Sequence, residues 1–163
     1  MKEILKNRKG FTLVELLAVI VVLAIIILVA MPNVLSAMDK ARRNTFVTEA
    51  NEFAKIAQTA YAETVLNGQT TGDATKGYCY SMKGLISHGF MDKKTGTYDA
   101  GSVLLQVDTN GKATYTIWMS NATYKVSNTK LEEITAIGLA TTNSTKAAEN
   151  CGGGEGITQV YSN

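Results

Sequence analysis

Apolar positions crowd the front of this chain. From Phe11 to Met31 only Thr12 and Glu15 are polar, and Leu16 to Met31 runs without a break. Roughly 20 apolar residues in a helix cross the ~30 Å hydrocarbon core of a bilayer, so the stretch predicts a membrane-spanning helix. Val19, Ile20, Val21, Val22, Ile25, Ile26 and Ile27 favour a strand by propensity. No globular strand needs this length, however, and in lipid a single helix satisfies its own backbone where a lone strand cannot.

Beyond Pro32 the pattern changes period. Phe46, Ala50, Phe53, Ala57, Ala60, Tyr61 and Val65 form a one-sided apolar stripe, with Lys40, Arg43, Glu49, Lys55 and Glu63 mostly off it. Such spacing predicts an amphipathic helix, ended by Asn67-Gly68. The stripe is short and rich in Ala, which favours packing beneath a small sheet over a coiled coil. Pro32 removes a helical hydrogen bond and predicts local bending near residues 28 to 32.

The rest of the chain reads as a small head. Gln69 to Gly77 predicts a loop. Ser81 to Gly89 predicts a short helical turn, with Leu85, Ile86, Phe90 and Met91 on its buried side. Val103 to Met119 carries the strongest strand pattern, interrupted by Asp108-Thr109-Asn110-Gly111-Lys112. A two-residue Asn-Gly turn would set Val107 opposite Thr114, mixing the faces. A three-residue turn with Gly111 in the left-handed bulge position sets Val107 against Ala113, Leu105 against Tyr115 and Val103 against Ile117. A one-residue slip swaps the faces, so the pattern selects the second register. Ala122 to Val126 predicts a third strand. Thr129-Lys130-Leu131-Glu132 has the spacing of a capping box opening a short turn through Ile134.

Composition narrows the chemistry. In 163 residues, one His, two Cys and one Pro exclude a His-rich metal site, a multi-disulfide scaffold and a Pro-rich linker. Sixteen basic against 14 acidic residues leave no strong nucleic-acid footprint. Lys93-Lys94 is too small a pair to argue for one. No phosphate loop, nucleotide fingerprint, metal-ligand spacing or catalytic triad appears, so an enzyme reading lacks parts and no cofactor is expected. His88 reads as a surface residue. Asp108 and Asn110 resemble part of a calcium loop, but further oxygen ligands and the terminal Glu are missing. Asn121-Ala122-Thr123 and Asn143-Ser144-Thr145 match the N-glycosylation pattern, which chance supplies often.

Charge orients the front. Lys2, Lys6, Arg8 and Lys9 against Glu3 give +3 before the apolar stretch, and Lys40, Arg42 and Arg43 against Asp39 give +2 after it. That modest bias predicts the amino terminus in the cytoplasm and the body outside. A secretory signal peptide fits poorly, because the apolar run is long and Val34-Leu35-Ser36-Ala37 is a mediocre cleavage site. A plain signal anchor leaves Glu15 unexplained. A carboxylate near the middle of a membrane helix costs about 2.5–3.5 kcal/mol, less toward an end, and the helix is expected to offer no partner within itself.

Gly10-Phe11-Thr12-Leu13-Val14-Glu15 resembles the processing site of type IV prepilins: a short basic leader ending in Gly, then Phe, then Glu at the fifth mature position. The resemblance covers about the first 60 residues. It implies that a prepilin peptidase cuts after Gly10 and methylates the new amine of Phe11. Glu15 would then pair with the Phe11 amine of a neighbouring subunit, turning the cost of a buried carboxylate into a preference for assembly and register. Pro32 matches the family's kink. The Gly that many members carry within the span is replaced here by Val22-Leu23-Ala24-Ile25. Pilins often hold a variable C-terminal region by a disulfide, and the candidates here are Cys79 and Cys151.

The expected fold is α+β: a long N-terminal α-helix packed against a small antiparallel β-sheet head, the pilin fold. The expected divisions are a leader at 1–10, a transmembrane and assembly helix at 11–31, its amphipathic continuation at 32–67 and a head at 68–163. The expected function is a structural subunit of a type IV pilus serving adhesion, biofilm formation or twitching motility. The alternatives are a minor pilin acting as a surface- or DNA-binding module, and a pseudopilin of a secretion or DNA-uptake system. Expected partners are identical subunits, the prepilin peptidase, the pilus assembly machinery and, before assembly, membrane lipid. The expected location is the bacterial cytoplasmic membrane, then a cell-surface pilus.

Overall fold

A computed structural model describes residues 10–69, 72–92, 100–136, 139–141 and 146–161. The leader residues before Gly10, Lys93-Lys94 and Asn143-Ser144-Thr145 lie outside the described residues, as does part of the loop expected at Gln69 to Gly77. The chain divides into two units, Met1–Lys40 and Ala41–Asn163.

Helix α1 (Leu13–Leu66) contributes to both. In the first unit every residue from Phe11 to Met38 is exposed, apolar side chains included. By length and composition this helix is able to cross a membrane. Pro32 stands inside the helix, which continues on both sides of it.

In the second unit α1 buries Phe46, Ala50, Phe53, Ala57, Ala60 and Thr64, a row with alternating steps of four and three. Ala54 lies beside that row. Thr64 replaces the expected Val65, which is 45% exposed. The Thr64 hydroxyl donates to the Tyr61 carbonyl at 2.8 Å and lies 3.2 Å from the Tyr80 hydroxyl, so burial leaves it satisfied. The helix ends where Asn67-Gly68 predicts. Gly68 adopts φ +65, and Gln69 N–H returns to the Thr64 carbonyl at 2.9 Å.

The sheet is six-stranded, in the order β5-β4-β3-β2-β1-β6. Its strands are β1 (Tyr78–Ser81), β2 (Ala100–Val107), β3 (Ala113–Ser120), β4 (Tyr124–Lys130), β5 (Ala140–Thr141) and β6 (Thr158–Val160). Every neighbouring pair is antiparallel except β1 with β6. The hairpin register is the one the apolar pattern selects: Val107 faces Ala113, Leu105 faces Tyr115 and Val103 faces Ile117. Gly111 takes φ +80, and Gly111 N–H donates to the Asp108 carbonyl at 3.0 Å. Asp108 Oδ1 accepts from Asn110 N–H and Lys112 N–H, each at 2.8 Å, so the turn itself uses the carboxylate. Tyr80, Val103, Leu105, Ile117 and Met119 share one core with the α1 row.

Two expectations need correction. The third strand is later and longer than Ala122 to Val126, and it carries Thr129 within it. Lys130, not Thr129, then precedes the 3-10 turn at Leu131–Glu133, without a side-chain cap. The Thr129 hydroxyl donates instead to the Ser127 carbonyl at 3.1 Å, so the capping box there does not form. Helix α2 (Met82–Ser87) falls where expected, capped by Ser81 Oγ accepting from Gly84 N–H at 3.0 Å. Of its expected apolar side only Leu85 is fully buried; Ile86, Phe90 and Met91 are half-buried.

Candidate assembly site and C-terminal staple

The candidate site begins at the start of α1. Gly10 and Phe11 precede the helix, and Phe11 is 84% exposed. A Cβ built at Gly10 would meet nothing within 4 Å. The peptide bond between these residues therefore lies in open chain outside the helical hydrogen-bond pattern.

Contrary to the expectation that its own helix offers Glu15 no partner, Thr12 supplies one. Thr12 N–H donates to Glu15 Oε2 at 2.8 Å and the Thr12 hydroxyl donates to the same oxygen at 2.9 Å. Glu15 N–H in turn donates to Thr12 Oγ1 at 3.3 Å. This is a reciprocal capping box with Thr12 at the N-cap. The partly positive N-terminal end of the helix also favours a carboxylate here. The signal was present as Thr12-Leu13-Val14-Glu15, the same Thr-x-x-Glu spacing assigned instead to Thr129. Two of the three bonds engage the carboxylate, both through Oε2.

Basic residues beyond the apolar stretch divide by role. Arg43 is half-buried, donates to the Leu139 carbonyl at 3.3 Å and lies 5.1 Å over the Tyr124 ring. It ties the helix to the edge of the sheet. Lys40 and Arg42 are exposed. His88 is exposed as expected, and its ring stacks on Tyr161 at 4.0 Å.

A second cluster lies on the sheet face away from α1. Cys79 and Cys151 form a disulfide and pack with Leu104, Trp118 and Ala147. Two buried serines hold the same C-terminal segment. Ser102 Oγ donates to the Ala148 carbonyl at 2.7 Å and accepts from Cys151 N–H at 3.1 Å. Ser120 Oγ accepts from Ala147 N–H at 2.9 Å. Neither serine stands out in the sequence, because a strand serine normally faces water. Among the described residues no group of three His, Cys, Asp or Glu side chains gathers to hold a metal ion.

Residues 5–31 match the family model described as the prokaryotic N-terminal methylation motif. The chain is 39% identical over 54 residues to the type IV wide pilus major component PilA4 of Thermus thermophilus. The alignment covers 33% of this chain and 41% of that protein, so the match spans about two-fifths of the relative's length. No solved structure matches the chain.

Proposed function

Because the chain belongs to the type IV pilin family, we propose that it is a structural subunit of a type IV pilus, held in the cytoplasmic membrane and then packed into a fibre. One observation carries this reading. The first unit presents an apolar helix exposed from Phe11 to Met38, whose only carboxylate before Asp39 is Glu15 near its very start. A contiguous apolar surface of this extent needs lipid or partners to cover it. A bilayer supplies the first cover, and identical helices supply the second.

The chemistry follows the chain's order. The +3 leader holds the amino terminus on the cytoplasmic side. A prepilin peptidase then cuts the open Gly10–Phe11 bond and methylates the Phe11 amine. Removing the leader leaves a net charge of −1 on the rest. Thr12 keeps its hold on Glu15 Oε2, and the other oxygen accepts from the Phe11 amine of an incoming subunit. Two opposite charges leaving water together cost far less than the carboxylate alone, so the pair favours assembly in one register. Adhesion, biofilm growth or twitching are the roles such a fibre serves, and similarity to a major component favours the bulk subunit over a minor pilin or pseudopilin.

The test is the mature amino terminus. Mass spectrometry of protein from its own cells should find N-methylated Phe11. A start near Ala37, or an intact Met1, overturns the reading.

A further inference from the structure

The turn between β3 and β4 carries a set of features that the proposed function does not use. Asn121-Ala122-Thr123 has the Asn-X-Thr spacing of a glycosylation acceptor. The spacing alone is a short pattern, and the geometry adds to it. Asn121 Oδ1 accepts from Thr123 N–H at 2.9 Å and from Tyr124 N–H at 2.7 Å. Asn121 N–H donates to the Tyr124 carbonyl at 3.0 Å. The turn thus consumes the backbone donor and amide oxygen of Asn121, while Nδ2 makes no hydrogen bond among the described residues. Thr123 gives its N–H to the turn, yet its side chain is exposed and its hydroxyl makes no hydrogen bond among the described residues. The two atoms an Asn-X-Thr acceptor requires are therefore the two that folding leaves idle.

Asn121 also stands at the rim of a hollow. It encloses about 260 Å³ and is lined by Arg42, Thr45, Phe46, Glu49, Thr123 and Tyr124. That is the scale of one sugar ring; Arg42 places a guanidinium beside it, and the Thr45 hydroxyl, which donates to the Ala41 carbonyl at 3.1 Å, keeps its oxygen as an acceptor. These are the groups that pair with ring hydroxyls.

We propose that Asn121 is a glycosylation acceptor whose first sugar rests in this hollow. In the transfer, Asn121 Nδ2 forms a bond to the anomeric carbon of a sugar carried on a polyprenyl diphosphate. The bond from that carbon to the diphosphate oxygen breaks, the diphosphate leaves with the electron pair, and Nδ2 loses a proton. The inference rests on the pilin reading only in placing the head on the donor's side of the membrane.

Trypsin releases Asn121 as the sole asparagine of the peptide Ala113–Lys125. In full-length protein from its own cells this peptide should carry a glycan mass. Asn121→Asp keeps an oxygen for the turn and Thr123→Ala keeps the N–H, so both should fold while losing the added mass completely. Thr123→Ser should retain it. An added mass that survives Asn121→Asp places the sugar elsewhere and overturns the proposal. A bare Asn121 on protein starting at methylated Phe11 overturns it alone, whereas a bare Asn121 with intact Met1 removes it together with the processing reading.

Discussion

Ser102→Ala measures how the C-terminal segment is held. Ser102 is fully buried, and its hydroxyl serves the Ala148 carbonyl at 2.7 Å and the Cys151 N–H at 3.1 Å at once. Deleting one oxygen strips two backbone groups of their partner beside an apolar cluster. Each such group costs about 1–3 kcal/mol, and a carbonyl tolerates the loss better than an N–H. The sum is about 2–4 kcal/mol, against ~4 kcal/mol for a disulfide closing a loop of this size in the chain-entropy model. One hydroxyl thus rivals the covalent bond beside it. Trp118, the sole tryptophan, packs in the same cluster, with its ring 3.4 Å from a Cβ built on Gly152. Its emission therefore reports this segment. In urea titration of the detergent-solubilised chain, the Trp118 midpoint should fall by about 1–2 M at a slope typical of small domains. Ser120→Ala, which strands one N–H, should give about half that shift. A Ser102→Ala midpoint within about 0.3 M of the parent would show that the hydroxyl does not hold the segment.

Three further predictions concern other parts of the chain. Glu15→Ala should insert into membranes normally but form no fibres, scored by electron microscopy of sheared material; ordinary fibres would remove the role given to the carboxylate. The Tyr80 phenol is pushed up to about 12, chiefly by burial, with the Thr64 hydrogen bond pulling it partly back. A raised folded-state value leaves stability whole below about pH 10 and erodes it as pH climbs toward 12, by about 2 kcal/mol. Tyr80→Phe should flatten that part of a stability-against-pH curve, and an unchanged slope would count against the assignment. Gly84→Ala would drive a Cβ into the Tyr161 carbonyl oxygen and place it 2.9 Å from Ser81 Oγ. It should displace Tyr161 from its stack on His88, seen as faster proteolysis of the last residues; parental protease resistance would refute this.

Most of this architecture was legible where one physical signal dominated. The apolar front follows from an unbroken run, the α1 row and the Val107–Ala113 hairpin follow from a period, and the wrong hairpin register would have put polar residues in the core. Strand β1 was missed for the opposite reason. Tyr78, Cys79 and Tyr80 are all buried, because α1 covers one sheet face and the C-terminal segment covers the other, so no alternation marks them. Strand β6 is three residues long and pairs in parallel with β1 from the far end of the chain, a contact no local pattern announces. Thr64 was hidden because a buried hydroxyl bonded to its own helix looks polar in sequence. At the candidate site, Gly10, Phe11 and Glu15 were visible as a motif, while Thr12 was overlooked. Its capping role shows only when the helix start is placed at Leu13.

The position of the disulfide has a consequence for wear. Cys79 and Cys151 lie 72 positions apart, so β2, β3, β4 and both turns joining them form one closed covalent ring. Asp108–Lys112 and the turn at Asn121–Thr123 offer exposed backbone within that ring. A protease that cuts once inside it opens a ring and severs nothing: every residue stays joined to α1 through Cys79. A cut between Leu66 and Cys79 would instead break the covalent link from α1 to the sheet and leave only their packing to hold it. Nicks at those turns therefore shed no piece, and the links the ring leaves unprotected are the stretch between α1 and Cys79 and the residues that follow Cys151.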